Sequence, residues 1–213
     1  MRRLLTAACL AAGVLILLVM GAALRPLLWP ETHGAARILN DTEIGFAQDM
    51  TAHHQQAIQM VQRLDPGADP VVRRLAEQID QYQRVEIGTM LGWLRLANAA
   101  PMARQPMAWM AANSPAAHHH SPAPAATPGA MPGLASQAEL DALSAARGRD
   151  ADILFLQLMY RHHQGGVTMA QAADREIPSG AVKEAARGML VAQSQECGLI
   201  AVLLSQRGAQ PLP

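Results

Sequence analysis

The chain has 213 residues, and its 17 basic and 17 acidic side chains cancel, so no basic face points to nucleic acid. Aromatics are only 3% of the residues, too few for a base-stacking surface, while a half-hydrophobic, alanine-rich composition favours helices over sheets. No Ser/His/Asp arrangement, phosphate loop, Cys-x-x-Cys or zincin motif supports a hydrolase or transferase.

Residues 1–24 read as a signal peptide or transmembrane anchor. Arg2 and Arg3 precede an uncharged run from Leu4 to Leu24, close to the ~20 residues a membrane-spanning helix needs. Gly21 and Ala23 offer a small-residue cleavage site as the alternative. Either way the positive-inside rule leaves the remainder outside the cytoplasm. Residues 25–40 form a juxtamembrane linker. Cys197 is the only cysteine in the exported part, so no internal disulfide forms, and a buried, inert thiol is expected.

A first helical hairpin is expected over 41–98. Asn40 or Asp41 caps its first helix, Asp65-Pro66-Gly67 ends it, and Asp69-Pro70 starts the second helix, which runs to about Asn98. Residues 99–135 form a linker whose seven prolines forbid a continuous helix. The final segment, 136–213, opens with a capping box at Ser136 and Glu139 on a short helix ending near Gly148. Two long helices follow, from about Asp150 to Glu176 and from about Ser179 to Gln206, with Gly208 terminating the second.

The hairpins repeat one another. FAQDMTAHHQQAIQMVQ (46–62) reappears as FLQLMYRHHQGGVTMAQ (155–171), and seven of the seventeen positions are identical, four of them His or Met. At an offset of 110, Val72, Gln83, Glu86 and Leu94 match Val182, Gln193, Glu196 and Leu204. One hairpin cannot cover its apolar stripe, so two together predict an all-α four-helix bundle. The long linker permits a ferritin-like crossover; an up-down-up-down path stays open.

On a helical wheel Phe46, Met50, His53, His54, Ala57 and Met60 fall within about 120° of arc, so imidazoles and thioethers share the core-facing stripe. The second hairpin repeats this with Met159, His162, His163 and Met169. Buried imidazoles must be hydrogen-bonded or metal-bound. Glu86 and Glu196, with Gln83 and Gln193 on the same stripes, are placed to hold ring N–H groups. Three residues before His53 and His162 stand Met50 and Met159, where a di-iron bundle carries Glu. Thioether with imidazole suits Cu(I); Cu(II), Ag(I) or zinc at the four His are the alternatives. Met102, Met107, Met110, His118, His119, His120 and Met131 in the linker are candidates for copper capture, or a low-complexity accident.

The two HHQ helices, the Gln-x-x-Glu of each hairpin and Met131-Pro132-Gly133 resemble the CopM-like domain-of-unknown-function family over most of the chain beyond Thr42. The resemblance implies a ferritin-like bundle, exported, with at least one branch binding copper in the periplasm. It also implies the ligand set Met50, His53, His54, Met60, Met159, His162, His163 and Met169, and an acidic position at Asp152 with Glu43 as its counterpart. Leu134 and the Gly165-Gly166 pair depart from the family pattern without removing a candidate ligand.

The expected function is a membrane-anchored or secreted, extracytoplasmic copper-binding protein, non-enzymatic, that sequesters Cu(I) or hands it on. Its expected partners are the metal ion, the membrane through the N-terminal helix, and a second copy or a copper-exchanging protein. A ferritin-like metal oxidase and a metal-free interaction bundle are the rival readings.

Overall fold

The computed structural model describes residues 12–21, 23–24, 37–111 and 130–212. The chain divides into two compact units, Met1–Arg37 and Ile38–Pro213. In the first, α1 (Ala12–Gly21) is a short apolar helix with exposed side chains. The second is entirely helical among the described residues: α2 (Asp41–Arg63), α3 (Pro70–Leu96), α4 (Ala108–Ala111), α5 (Gln137–Ala145), α6 (Gly148–Glu176) and α7 (Ala181–Gln206). By length and composition α7 alone among these is apolar enough to cross a membrane. Its Val182, Ala186, Met189, Ile200 and Leu204 are instead buried in the bundle core.

Local chemistry sets the helix ends. Asn40 and Glu43 form a reciprocal capping box, each side chain holding the other's backbone N–H at 2.9 and 2.8 Å. Asp69 accepts from Val71 N at 2.7 Å ahead of Pro70, and Ser136 with Glu139 completes a second capping box. After the last turns of α3 and α7, Asn98 and Gly208 take matching left-handed conformations, φ 53° and 61°. These two positions are related by the same offset as the helices before them. Glu43, read as an acidic family position, acts here as a cap.

Two contacts fix the topology. Gly148 N donates to Asp65 Oδ2 at 2.8 Å and Asp69 N donates to Asp152 Oδ1 at 3.1 Å. They seat the start of α6 on the end of α2, so α2 and α6 run antiparallel. Because α3 has returned to the other end, the chain between α3 and α6 must travel the length of the bundle, which is the ferritin-like crossover. Asp152 is therefore a bracket between hairpins, with Arg207 3.7 Å from its carboxylate.

Not all of the predicted linker is free of the bundle. Trp109 is buried, stacks edge-on against Phe46 with centroids 5.6 Å apart, and donates Nε1–H to Asp49 at 2.9 Å. Met107 N donates to the same oxygen at 2.7 Å. A side chain at Gly45 would collide with Trp109, so glycine makes the seat.

The core falls into two apolar clusters. One gathers Ala57, Met60, Leu75, Ile79, Phe155, Met159, Ile200 and Leu204; the other gathers Phe46, Ala47, Met50, Met90, Leu94, Met169, Val182 and Met189. Burying each of the larger side chains contributes about 1.5–3 kcal/mol. The histidines of α2 and α6 occupy the waist between them.

Candidate metal centre

His53, His54, His162 and His163 are all fully buried. The His53 and His162 rings face each other with centroids 3.8 Å apart and planes inclined by 30°. His54 lies 6.5 Å from His53, and His163 lies 6.1 Å from His162, so the four rings form a row across the waist.

Every ring uses Nε2 on an acceptor. His54 Nε2 donates to Glu86 at 2.6 Å and His163 Nε2 to Glu196 at 2.7 Å, the roles expected for those carboxylates. His162 Nε2 donates to the His53 carbonyl at 3.0 Å and His53 Nε2 to the Pro132 carbonyl at 3.1 Å. Carbonyl and carboxylate oxygens only accept, so each Nε2 carries a proton, and a ring that holds only that proton bares its lone pair at Nδ1. All four Nδ1 atoms are buried without a hydrogen-bond partner. Burial, reinforced by His54, pushes the His53 imidazole down to about 3. Burial and then His53 push His162 well below its ordinary 6.5. These two rings stay neutral, the form that binds metal.

The Met131-Pro132-Gly133 segment that supplies the His53 acceptor is wedged between α2 and α6. Gln56 clasps Ala135 through both its amide atoms, at 2.9 and 2.7 Å. Gly133 adopts φ 78°, where a Cβ would strike the Arg161 carbonyl, and a Cβ on Gly165 would strike that of Pro132. Gly165 is thus what admits the Pro132 carbonyl. Met131 itself is half-buried.

Met50, Met60, Met159 and Met169 are fully buried, but they do not gather at one point. Met50 and Met169 belong to one apolar cluster, Met60 and Met159 to the other. With His53 opposite His162 on antiparallel helices, Met50 and His163 stand within about 3 Å of one level, as do Met159 and His54 on the other side. Met60 and Met169 lie about 10 Å from the midpoint along the axis. Along the axis, each side of the waist thus has a thioether of one hairpin near the height of an imidazole of the other. No group of three or more His, Cys, Asp or Glu converges among the described residues.

The remaining candidates separate. Gln83 and Gln193 are buried, and neither amide has a hydrogen-bond partner. Among the linker candidates Met102 is exposed, whereas Met107 and Met110 pack on the apolar cluster of Met50 and Met169. Both are half-buried. His118, His119 and His120 lie outside the described residues. Cys197 is half-buried, and burial with the nearby Glu196 pushes its thiol up to about 11. The Asp49–Trp109 tie has one sequence signal, Asp49 standing where the second repeat has Leu158.

Residues 43–204 match the family described as Domain of unknown function (DUF305). The chain belongs to the DUF305 family. This DUF305 chain is similar to the crystal structure of a candidate secreted DUF305 protein from Streptomyces coelicolor, with 38% identity over 81% of this chain and 96% of that one and a TM-score of 0.70. A DUF305 fragment from Deinococcus radiodurans is 28% identical over 78% and 97% of the two chains, TM-score 0.61. CopM in its Cu(I)-bound form shares the fold at 23% identity over 78% and 98%, TM-score 0.56. Among curated proteins no relative matches this DUF305 chain.

Proposed function

We propose that this DUF305 chain is an extracytoplasmic, non-enzymatic copper-binding protein that sequesters Cu(I) or passes it to a partner. One observation carries the reading: four buried imidazoles whose Nδ1 atoms have no hydrogen-bond partner among the described residues. Left as they are, these polar atoms are a standing cost to the fold; a soft cation would satisfy them. The thioethers of Met50 and Met159 stand level with His163 and His54, and a thioether–imidazole donor set is one that Cu(I) accepts and hard cations do not. Glu86 and Glu196 supply the second hydrogen bond that fixes a ligating ring and raises its basicity. The apolar N-terminal run and the secreted description of the Streptomyces relative support a location outside the cytoplasm. The copper-bound state of CopM, a protein of the same fold, supports the choice of ion.

Competitive Cu(I) titration of the full chain, with and without His53, His54, His162 and His163 replaced by Ala, tests it. Loss of affinity in the fourfold variant is expected; unchanged affinity overturns the proposal. Aerobic Cu(I) loading should consume no oxygen, and sustained turnover would replace binding with an oxidase.

A further inference from the structure

α3 and α7 each carry a second stripe that the core does not use. On α3 it is Gln78, Tyr82, Val85, Thr89, Gly92 and Leu96; on α7 it is Gly188, Ala192, Gln195, Leu199, Val202 and Gln206. The steps alternate between four and three residues, the spacing of a coiled-coil seam. The two sets correspond position for position at the offset of 110. Every one of these residues is exposed, Tyr82 at 64%, Val85 at 70%, Leu96 at 67% and Val202 at 53%. None is charged. Exposed charges such as Arg73, Glu77, Arg84, Arg95 and Arg187 stand outside the stripes.

Both stripes border one cleft of about 320 Å³, where Gln78 and Tyr82 face Ala192, Gln195 and Leu199. Glu86 and Glu196 lie deeper, each on its histidine. Single exposed apolar residues are ordinary, but two continuous stripes side by side mark a surface that something covers. The glycines say the same. Glycine weakens a helix interior, and a Cβ added at Gly92 or Gly188 would meet no atom within 4 Å. Nothing inside the chain requires glycine there, whereas the close approach of another helix does.

Charge, size and symmetry select the occupant. An uncharged face meets its own copy with no like charges opposed along the stripes. No basic residue lines the cleft to draw in an anionic lipid surface. With 27 and 26 residues, α3 and α7 are about 40 Å long and about 20 Å across as a pair, a face of about 800 Å², which is one partner's share of a standard interface. Because the hairpins are antiparallel copies, the face has an approximate two-fold of its own, and an isologous dimer pairs matching patches. We propose that the α3/α7 face binds a second copy of this chain, the stripes of the two copies packing together in a two-fold dimer. The dimer does not depend on what the waist binds.

Sedimentation equilibrium of the full-length, metal-free chain in density-matched non-ionic detergent tests it. The wild-type chain is expected to sediment as a dimer and V85E/V202E as a monomer. Both valines are exposed, so the variant should keep its melting temperature and its Cu(I) uptake. Val191→Glu, at a residue 56% exposed but off the stripe, should leave the dimer intact. A monomeric wild-type chain, a dimer retained in V85E/V202E, or a dimer lost equally in Val191→Glu each overturns the proposal. A monomer in which a fluorophore on Val202→Cys shifts to the blue in phosphatidylcholine vesicles would also overturn it, giving the face to lipid. Cu(I) titration of the same samples reads the waist separately: a dimer that takes up no Cu(I) sinks the copper function alone, and a monomer that takes it up sinks the dimer alone.

Discussion

His53 and His162 meet ring to ring across the waist, 3.8 Å between centroids, and neither tolerates a proton. Burial holds both below the ordinary histidine value, His53 at about 3. An unfolded chain takes those protons near 6.5, whereas the native chain does not. The metal-free protein should therefore be fully stable above about pH 6.5 and lose stability as pH falls towards 3, each ring adding up to about 1.4 kcal/mol per pH unit to the slope. Urea unfolding at a series of pH values checks it; a flat profile between 6.5 and 4 contradicts the neutral pair.

The proposed thioether ligation predicts a selective loss. Met50→Leu and Met159→Leu conserve volume, so each should cost less than about 1.5 kcal/mol of stability. Each should weaken Cu(I) while leaving Zn(II) affinity nearly unchanged, because zinc makes little use of thioether sulfur. Parallel competition titrations with the two ions give the answer, and equal losses for both would assign these methionines to packing.

Gly165→Ala and Gly166→Ala should differ in severity. The added methyl of the first meets the Pro132 carbonyl, a piece of backbone that cannot turn aside; that of the second meets the Gln193 side-chain amide, which can. Gly165→Ala is expected to displace the 131–133 segment and strip His53 Nε2 of its acceptor. Thermal melting should show a drop of several degrees for Gly165→Ala, from an overpacking cost of about 1–3 kcal/mol, and a smaller one for Gly166→Ala. Equal melting temperatures would contradict the wedge.

Asp49 is a buried carboxylate whose pKa burial raises, against the lowering pull of its bonds to Met107 N and Trp109. Asp49→Asn keeps an oxygen for both donors and removes the desolvated charge, so stability at pH 7 should hold or rise. Asp49→Ala leaves Trp109 Nε1–H and Met107 N–H without an acceptor and should cost about 1–3 kcal/mol. Chemical denaturation at pH 7 separates the two variants, and Trp109 fluorescence reports whether the segment has lifted.

What could be read from the sequence was what short-range chemistry encodes. Asp69 with Pro70 and Ser136 with Glu139 are caps written within three residues, and both stand where expected, while of the two candidates Asn40 and Asp41 it is Asn40 that caps α2. The inward stripe of His and Met was equally legible, because helical spacing alone decides which residues share a face. Two features escaped. Trp109 reaches Asp49 across 60 positions and Pro132 reaches His53 across 79, distances at which no local pattern survives. Proline content argued against a long helix in 99–135; it said nothing about whether Met107, Trp109 and Met110 would settle on the bundle. The split of the four methionines between two clusters followed from the antiparallel pairing of α2 and α6, which a duplicated sequence leaves undecided.

His162 holds on to the main chain of the opposite hairpin, its Nε2 on the His53 carbonyl. That bond works as an alignment pin. Sliding one hairpin along the other by a single helical turn, about 5.4 Å, would pull an imidazole off its peg and carry Met50 past His163. The bond thus holds the two halves in one register, and with it the heights at which their His and Met side chains stand.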